Sequence, residues 1–343
     1  MRLFSLLTLC SAAVVLSGCA EEQPHVEVAG DNTPAAAYAE SAATSKAATS
    51  AHTAQHKYCG GAQGQAPSGT LTPTRIEAAN NDAPGLYEGP VWIDDALYFS
   101  SFTFTEGFPS QVMKLKDGEL SVAIDDSGSN GLAVDSEGHL IAGTHKYKSV
   151  SRYNLADGSR ENVIGEFEGN VFNSPNDLTL TTDGVLYFTD PDFQTSAAPG
   201  GQEATRVYRV EGEQITVVDD TISNPNGVSL SPDESVLYVA GGGENGVLRA
   251  YSIVDGVPGE GRDLAPIAVP DGMAIDCLGN IYTTEHSLQR LRVFNPEGEQ
   301  IAEIPVDANV TNAAFGGPER KTLYITGAGS LWSLELDVAG LPY

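Results

Sequence analysis

The sequence predicts an all-β fold, a closed β-propeller of six blades, on three observations. A strand signature returns six times, at Leu97-Tyr98, Leu140-Ile141, Leu186-Tyr187, Leu237-Tyr238, Ile281-Tyr282 and Leu323-Tyr324. The steps between them are 43, 46, 51, 44 and 42 residues, the period of a unit of several strands repeated radially. Turn chemistry precedes the signatures, as in "DSEGH", "TTDGV", "SPDES", "CLGN" and "GPERK", supplying the Gly, Asp and Pro that tight hairpins require. No long helical period appears between the signatures, where strand-type residues dominate.

The elements follow in chain order. Residues 1–18 read as a lipoprotein signal peptide: Arg2, an apolar run to Leu16, then small residues, too short to span a bilayer as a helix. Its end, Leu16-Ser17-Gly18-Cys19, resembles a bacterial lipobox, with cleavage before Cys19 and lipidation of that residue. Ala20 follows the cysteine, which in a Gram-negative host points to the outer membrane, facing the periplasm or the cell surface. Residues 19–70 are rich in Ala, Thr, Ser, Gly and Gln, with almost no large apolar side chain, and are expected to form a flexible tether. Residues 71–343 form the propeller, expected to be monomeric.

Of four cysteines, Cys10 leaves with the signal and Cys19 carries the lipid. Cys59 and Cys277 remain, without metal-type spacing. Export would permit a bridge between them, although Cys59 falls in the expected tether and Cys277 in a hairpin turn. The net charge of −28, from 18 basic and 46 acidic residues, argues against nucleic acid as a partner. It slightly favours neutral or cationic ligands.

The functional signal lies about ten residues upstream of each signature. Glu88 in "YEGPVW", Asn130 in "SNGLAV", Asn176 in "PNDLTL", Asn226 in "PNGVSL", Asp271 in "PDGMAI" and Asn312 in "TNAAFG" are all carboxylates or carboxamides. In a propeller the innermost strands line the channel, so equivalent positions converge at one mouth. Converging carboxylates repel and resist desolvation unless compensated, and a cation is the natural compensation. Hard oxygen donors carrying two negative charges suit Ca²⁺ best; Mg²⁺ and Mn²⁺ fit the same donors, whereas Zn²⁺ usually recruits nitrogen or sulfur. Turn capping by Asn and Asp explains single positions but not Glu88.

These motifs resemble the gluconolactonase/regucalcin (senescence marker protein) family of six-bladed, calcium-dependent propellers. The matching segments are "EGPVW", "NGLAVDSEGHL", "FNSPNDLTLTTDGVLYFTDP", "NPNGVSLSPDESVLYVA", "PDGMAIDCLGNIYTT" and "TNAAFGGPERKTLYIT". They occur in family order across nearly the whole propeller. The resemblance implies that Glu88, Asn176, Asn226 and Asp271 hold the metal and that Asn130 lies near the substrate. The chain departs from the family at Gly241, where an Asp is common. Because the family also contains diisopropyl-fluorophosphatase-like enzymes, the motifs leave the ester class open.

Such a site can polarise a lactone carbonyl and stabilise the oxyanion, with Asp271 activating water and Glu88 anchoring the metal. The expected function is hydrolysis of a sugar-acid lactone or related ester outside the cytoplasm. The alternative is a non-catalytic, membrane-tethered propeller that binds a ligand through the same cation. No G-x-S-x-G nucleophile motif is present. His139 is expected in an exposed turn. His145 and His286 follow second strands, from which one could reach the pocket rim and bind a substrate hydroxyl. Trp92, Phe102, Phe104, Phe108 and Trp332 are expected to serve packing, with "SFTFTEGFP" overhanging the mouth as the alternative.

Overall fold

The structure is a computed structural model that describes residues 59–60, 64–79 and 85–342. The expected signal sequence, Cys19 and most of the expected tether lie outside the described residues. Six antiparallel sheets follow one another along the chain as the blades of a propeller. Their innermost strands are Gly85–Ile93, Ser129–Val134, Leu178–Leu180, Pro225–Leu230, Pro270–Ile275 and Val310–Gly316. Each pairs with the strand that carries one of the six sequence signatures.

The blades are held by apolar side chains that alternate along each strand and meet those of the next blade. The six buried clusters fall one at each interface. Tyr238 and Leu248 of blade 4 meet Met273 and Ile281 of blade 5, and Tyr87, Leu97 and Phe99 of blade 1 meet Leu331 of blade 6. Trp332 is buried in the cluster between blades 5 and 6, as the sequence suggested. Trp92 packs at the interface of blades 6 and 1, stacked on Tyr324 at 5.6 Å.

Closure comes from the N-terminal side of the chain. Blade 6 takes three strands from the C-terminal repeat, and its outermost strand is Thr74–Arg75, antiparallel to Ser330–Glu335. Gly69–Thr70 adds a fifth strand, parallel, to the edge of blade 5. Blade 6 thereby gains the fourth strand that the C-terminal repeat lacks, and the outer edge of blade 5 is covered. Cys59 is bonded to Cys277 across 218 residues of sequence, with both cysteines buried. The end of the expected 19–70 tether, from Cys59 onward, is thus fastened to blade 5.

At the far end of the channel the C-terminal residues cross three blades. The N–H groups of Leu341 and Cys277 donate to Ile275 and Ala339, while the carbonyls of Leu341 and Pro342 accept from Phe315 and Trp92. This strap covers the channel end where the innermost strands finish. The other mouth, where they begin, carries the polar ring.

Candidate active site

A register shift sits beside the ring position in five innermost strands: between Glu88 and Val91, Ser129 and Leu132, Pro225 and Val228, Pro270 and Met273, and Val310 and Ala313. A bulge re-aims a side chain out of the regular pleat, here toward the axis. The glycine that follows the ring residue lets adjacent strands close together. A Cβ on Gly131 would stand 2.4 Å from the Asn176 carbonyl oxygen, and one on Gly227 would stand 2.5 Å from that of Asp271.

Glu88, Asn130, Asn176, Asn226 and Asp271 all line one cavity of about 360 Å³ at this mouth. All five are buried. The sixth ring residue, Asn312, is drawn beneath the floor. Its amide donates to Asp177 Oδ1 at 3.4 Å, from blade 6 to the blade opposite, and also serves Glu88.

The floor concentrates negative charge where water cannot screen it. The Glu88 carboxyl is pushed well above the ordinary carboxylate range, by burial first and then by the charges of Asp271 and Asp177. Asp177 is pushed up to about 7, again by burial first, against the hydrogen bonds from Val228 N–H, Asn312 and Leu178 N–H. Asp271 accepts from Asn226 Nδ2 at 2.7 Å through Oδ1 and lies 3.1 Å from His286 Nδ1 through Oδ2. Asn130 Oδ1 is buried and has no hydrogen-bond partner among the described residues. Three carboxylates, neutral amide oxygens and an orphaned carbonyl oxygen, without a thiol, fit a hard divalent cation and a polar ligand atom above it.

Residues 86–329 match the family model described as the SMP-30/gluconolactonase/LRE-like region. The chain belongs to this family. It is 25% identical over 288 residues to a gluconolactonase of Zymomonas mobilis, covering 74% of this chain and 79% of that protein. With the pentonolactonase XacC of Haloferax volcanii it shares 24% identity over 71% of this chain and 82% of the relative. Among solved structures, the gluconolactonase XC5397 of Xanthomonas campestris superposes with a TM-score of 0.67 at 28% identity, covering 80% of this chain and 100% of the other.

Several residues of this SMP-30/gluconolactonase-type site depart from the sequence expectations. His286 lines the cavity, but its ring nitrogens meet Asp271 and the Asn309 amide, at 3.1 and 3.3 Å. Burial depresses its pKa, yet the bond and charge of Asp271 prevail and the net shift is upward. His145 does not reach the cavity. It is buried behind the wall, with Nε2 2.7 Å from the Phe108 carbonyl oxygen, and burial lowers its pKa to about 4, so the ring is neutral and donates this bond. His139 sits in a turn, half-exposed, beside Asp135 and Glu137. Those three form the grouping of acidic and imidazole ligands nearest to a metal-binding geometry among the described residues, but they lie at the other end of blade 2 from Asn130.

Phe102, Phe104 and Phe108 line the cavity rather than serving packing alone, joined by Phe193 and Gln194. The residue that ring counting missed is Asp177. It takes the place that Gly89, Gly131, Gly227 and Gly272 hold in other repeats. A carboxylate in a glycine slot was a readable signal. Gly241, the departure from the family pattern, sits against Pro225 and Ile222 with no room for a Cβ, let alone an Asp.

Proposed function

We propose that this chain opens lactone rings by hydrolysis, with a divalent cation, best matched by Ca²⁺, held by Glu88, Asn176, Asn226 and Asp271. The observation that carries this reading is the burial of Glu88, Asp177 and Asp271 together at the floor of a cavity to which Asn130, Asn176 and Asn226 add carboxamides. Buried like charges of this kind call for a counter-ion. Relatives that are named gluconolactonase and pentonolactonase support the reaction class. A bound cation supplies polarisation of the acyl carbonyl and stabilisation of the negative charge that develops on its oxygen.

The remaining work falls to side chains. Asp271 accepts the proton of the attacking water, and His286 fixes the plane of its carboxylate. Glu88 anchors the ion. Asn130, with its carbonyl oxygen unpaired, accepts from a donor on the substrate or its water. Export and anchoring through lipid on Cys19 is part of the same proposal and rests on the Leu16-Ser17-Gly18-Cys19 motif.

The test of function is proton release from glucono-δ-lactone and δ-valerolactone, with Ca²⁺ and after chelation. Turnover that chelation abolishes and Ca²⁺ restores supports the proposal. Turnover indifferent to chelation removes the cation from it, and no turnover of any lactone removes the hydrolase. The anchor is tested by Cys19→Ser, which should move the protein from the membrane fraction to the soluble one.

A further inference from the structure

The cavity has two chemically different parts. Its floor is the polar ring, but its wall is built from Leu86, Phe102, Phe104, Phe108, Phe193 and Val269. These come from blade 1, the loop after the second strand of blade 3, and the residue before blade 5. Blade 1 supplies four of the six, and blades 3 and 5 add one each from other sides of the axis. Among the described residues, no Lys or Arg lines the cavity. Phe104 and Phe193 keep 58% and 45% of their surface exposed at the rim, where phenyl rings meet water instead of packing in the core.

The wall is held in place by dedicated contacts. Phe108 and Val269 both lie in the left-handed backbone region, with φ of 49° and 47°, which is costly for a β-branched residue. Phe108 is retained there by its N–H to the Thr105 carbonyl at 3.0 Å and by the His145 bond to its own carbonyl. Val269 is retained by its N–H to the Gly243 carbonyl at 2.7 Å and by the His286 N–H on its carbonyl at 3.0 Å. Phe193 sits on a loop pinned by buried Lys148, whose ammonium donates to the Asn173 and Thr195 carbonyls at 2.7 and 2.9 Å.

From this division we infer that the substrate is a lactone bearing an apolar substituent, an alkyl chain or a fused aromatic ring, rather than a polyhydroxylated sugar lactone. The inference rests on the lactonase reading of the same site. The acyl carbonyl faces the polar floor and the hydrocarbon lies against the phenyl wall. A sugar ring can stack on one aromatic face, but its hydroxyls then each need a polar partner; above the floor the cavity offers Gln194 and His286 against four phenyl rings from blades 1 and 3. In the reaction, the water oxygen bonds to the acyl carbon, the ring C–O bond breaks, and the ring oxygen takes a proton. The product is a hydroxy acid, which releases its carboxyl proton.

The experiment measures kcat/KM by proton release, with Ca²⁺ present, for δ-valerolactone, δ-octalactone, δ-decalactone, dihydrocoumarin and glucono-δ-lactone. Each buried methylene is expected to raise kcat/KM by about fourfold until the wall is filled, so δ-decalactone should exceed glucono-δ-lactone by tenfold or more. Phe104→Ser and Phe193→Ser, both at the exposed rim, should lower kcat/KM for δ-decalactone at least fivefold more than for δ-valerolactone. Preference for glucono-δ-lactone, or rim variants that affect both δ-lactones equally, would overturn the substrate class while leaving the lactonase reading intact. Turnover of none of the five would overturn both.

Discussion

His286 and Asp271 form a bonded pair at the cavity floor. Imidazole Nδ1 lies 3.1 Å from Asp271 Oδ2, while Oδ1 of the same carboxylate takes the Asn226 amide at 2.7 Å. Both oxygens are therefore fixed, one from blade 4 and one from the short turn after the second strand of blade 5. The imidazole is held in turn at Nε2 by Asn309. A carboxylate with two fixed oxygens has little freedom left in its plane, which is what a proton acceptor beside a metal requires.

Removing the imidazole tests that role. His286→Ala should lower kcat/KM by about 10- to 100-fold, the usual cost of losing an outer partner of a metal-site ligand. His286→Gln, which can still donate to Asp271, should recover part of the loss. Equal loss in both variants would mean that the imidazole does more than hold the carboxylate.

Asp271→Asn separates proton acceptance from coordination. The amide keeps an oxygen of the same shape and loses the charge and the basic site. With Ca²⁺ at saturation, kcat should fall by roughly two to four powers of ten. A rate equal to that of the parent protein at saturating metal would exclude Asp271 as the base.

The legibility of these features in the sequence follows from how each is encoded. The six signatures and the six ring residues were readable because every blade must make the same hairpin and expose the same inward position. The outermost strand of blade 6 was not, since Thr74–Arg75 is two residues long and its pairing partner lies more than 250 residues away, beyond any local pattern. Asp177 was overlooked because it sits next to Asn176, and one polar residue before the strand already satisfied the repeat. The aromatic wall was underrated because Phe in "SFTFTEGFP" looks the same whether it packs under a loop or over a cavity. Which of these it does depends on the turn that places Phe108 at positive φ.

The Cys59–Cys277 bond closes a loop of 218 residues. In the chain-entropy description such a closure destabilises the unfolded state by about 5 kcal/mol. Cys59→Ala together with Cys277→Ala should lower the Tm by roughly 5–10 °C, read by calorimetry on the cation-loaded protein. The site is remote from the bond, so kcat/KM at 25 °C should stay within about twofold of the parent. A large kcat/KM change with little change in Tm would show that the N-terminal fastening communicates with the mouth.

On the proposed reading of the site, Asp177 and Glu88 set the pH dependence of cation binding. Both carboxyls are raised, Asp177 from 3.8 to about 7, and both share the Asn312 amide. A carboxyl raised by burial contributes stability below its unfolded value, where it is neutral in both states. That contribution is lost as pH rises through the folded value, when the buried group must ionise. Without a cation, the fold should therefore weaken as pH rises from about 4 to about 7, with little further loss from Asp177 above that. A bound cation reverses the balance, because it needs the ionised forms, so protons compete with it as pH falls through about 7. Two outcomes are expected together: Ca²⁺ affinity, measured by titration calorimetry, rises from pH 6 to pH 8, and the Tm difference between loaded and chelated protein widens over the same range. Glu88→Gln removes one of the two titrating carboxyls and a charged ligand, so it should weaken binding at pH 8 by at least tenfold and flatten the pH dependence. A Tm difference that is the same at pH 6 and pH 8 would mean that these carboxyls are already ionised without the ion, and that the charge at the floor is balanced by something other than protons.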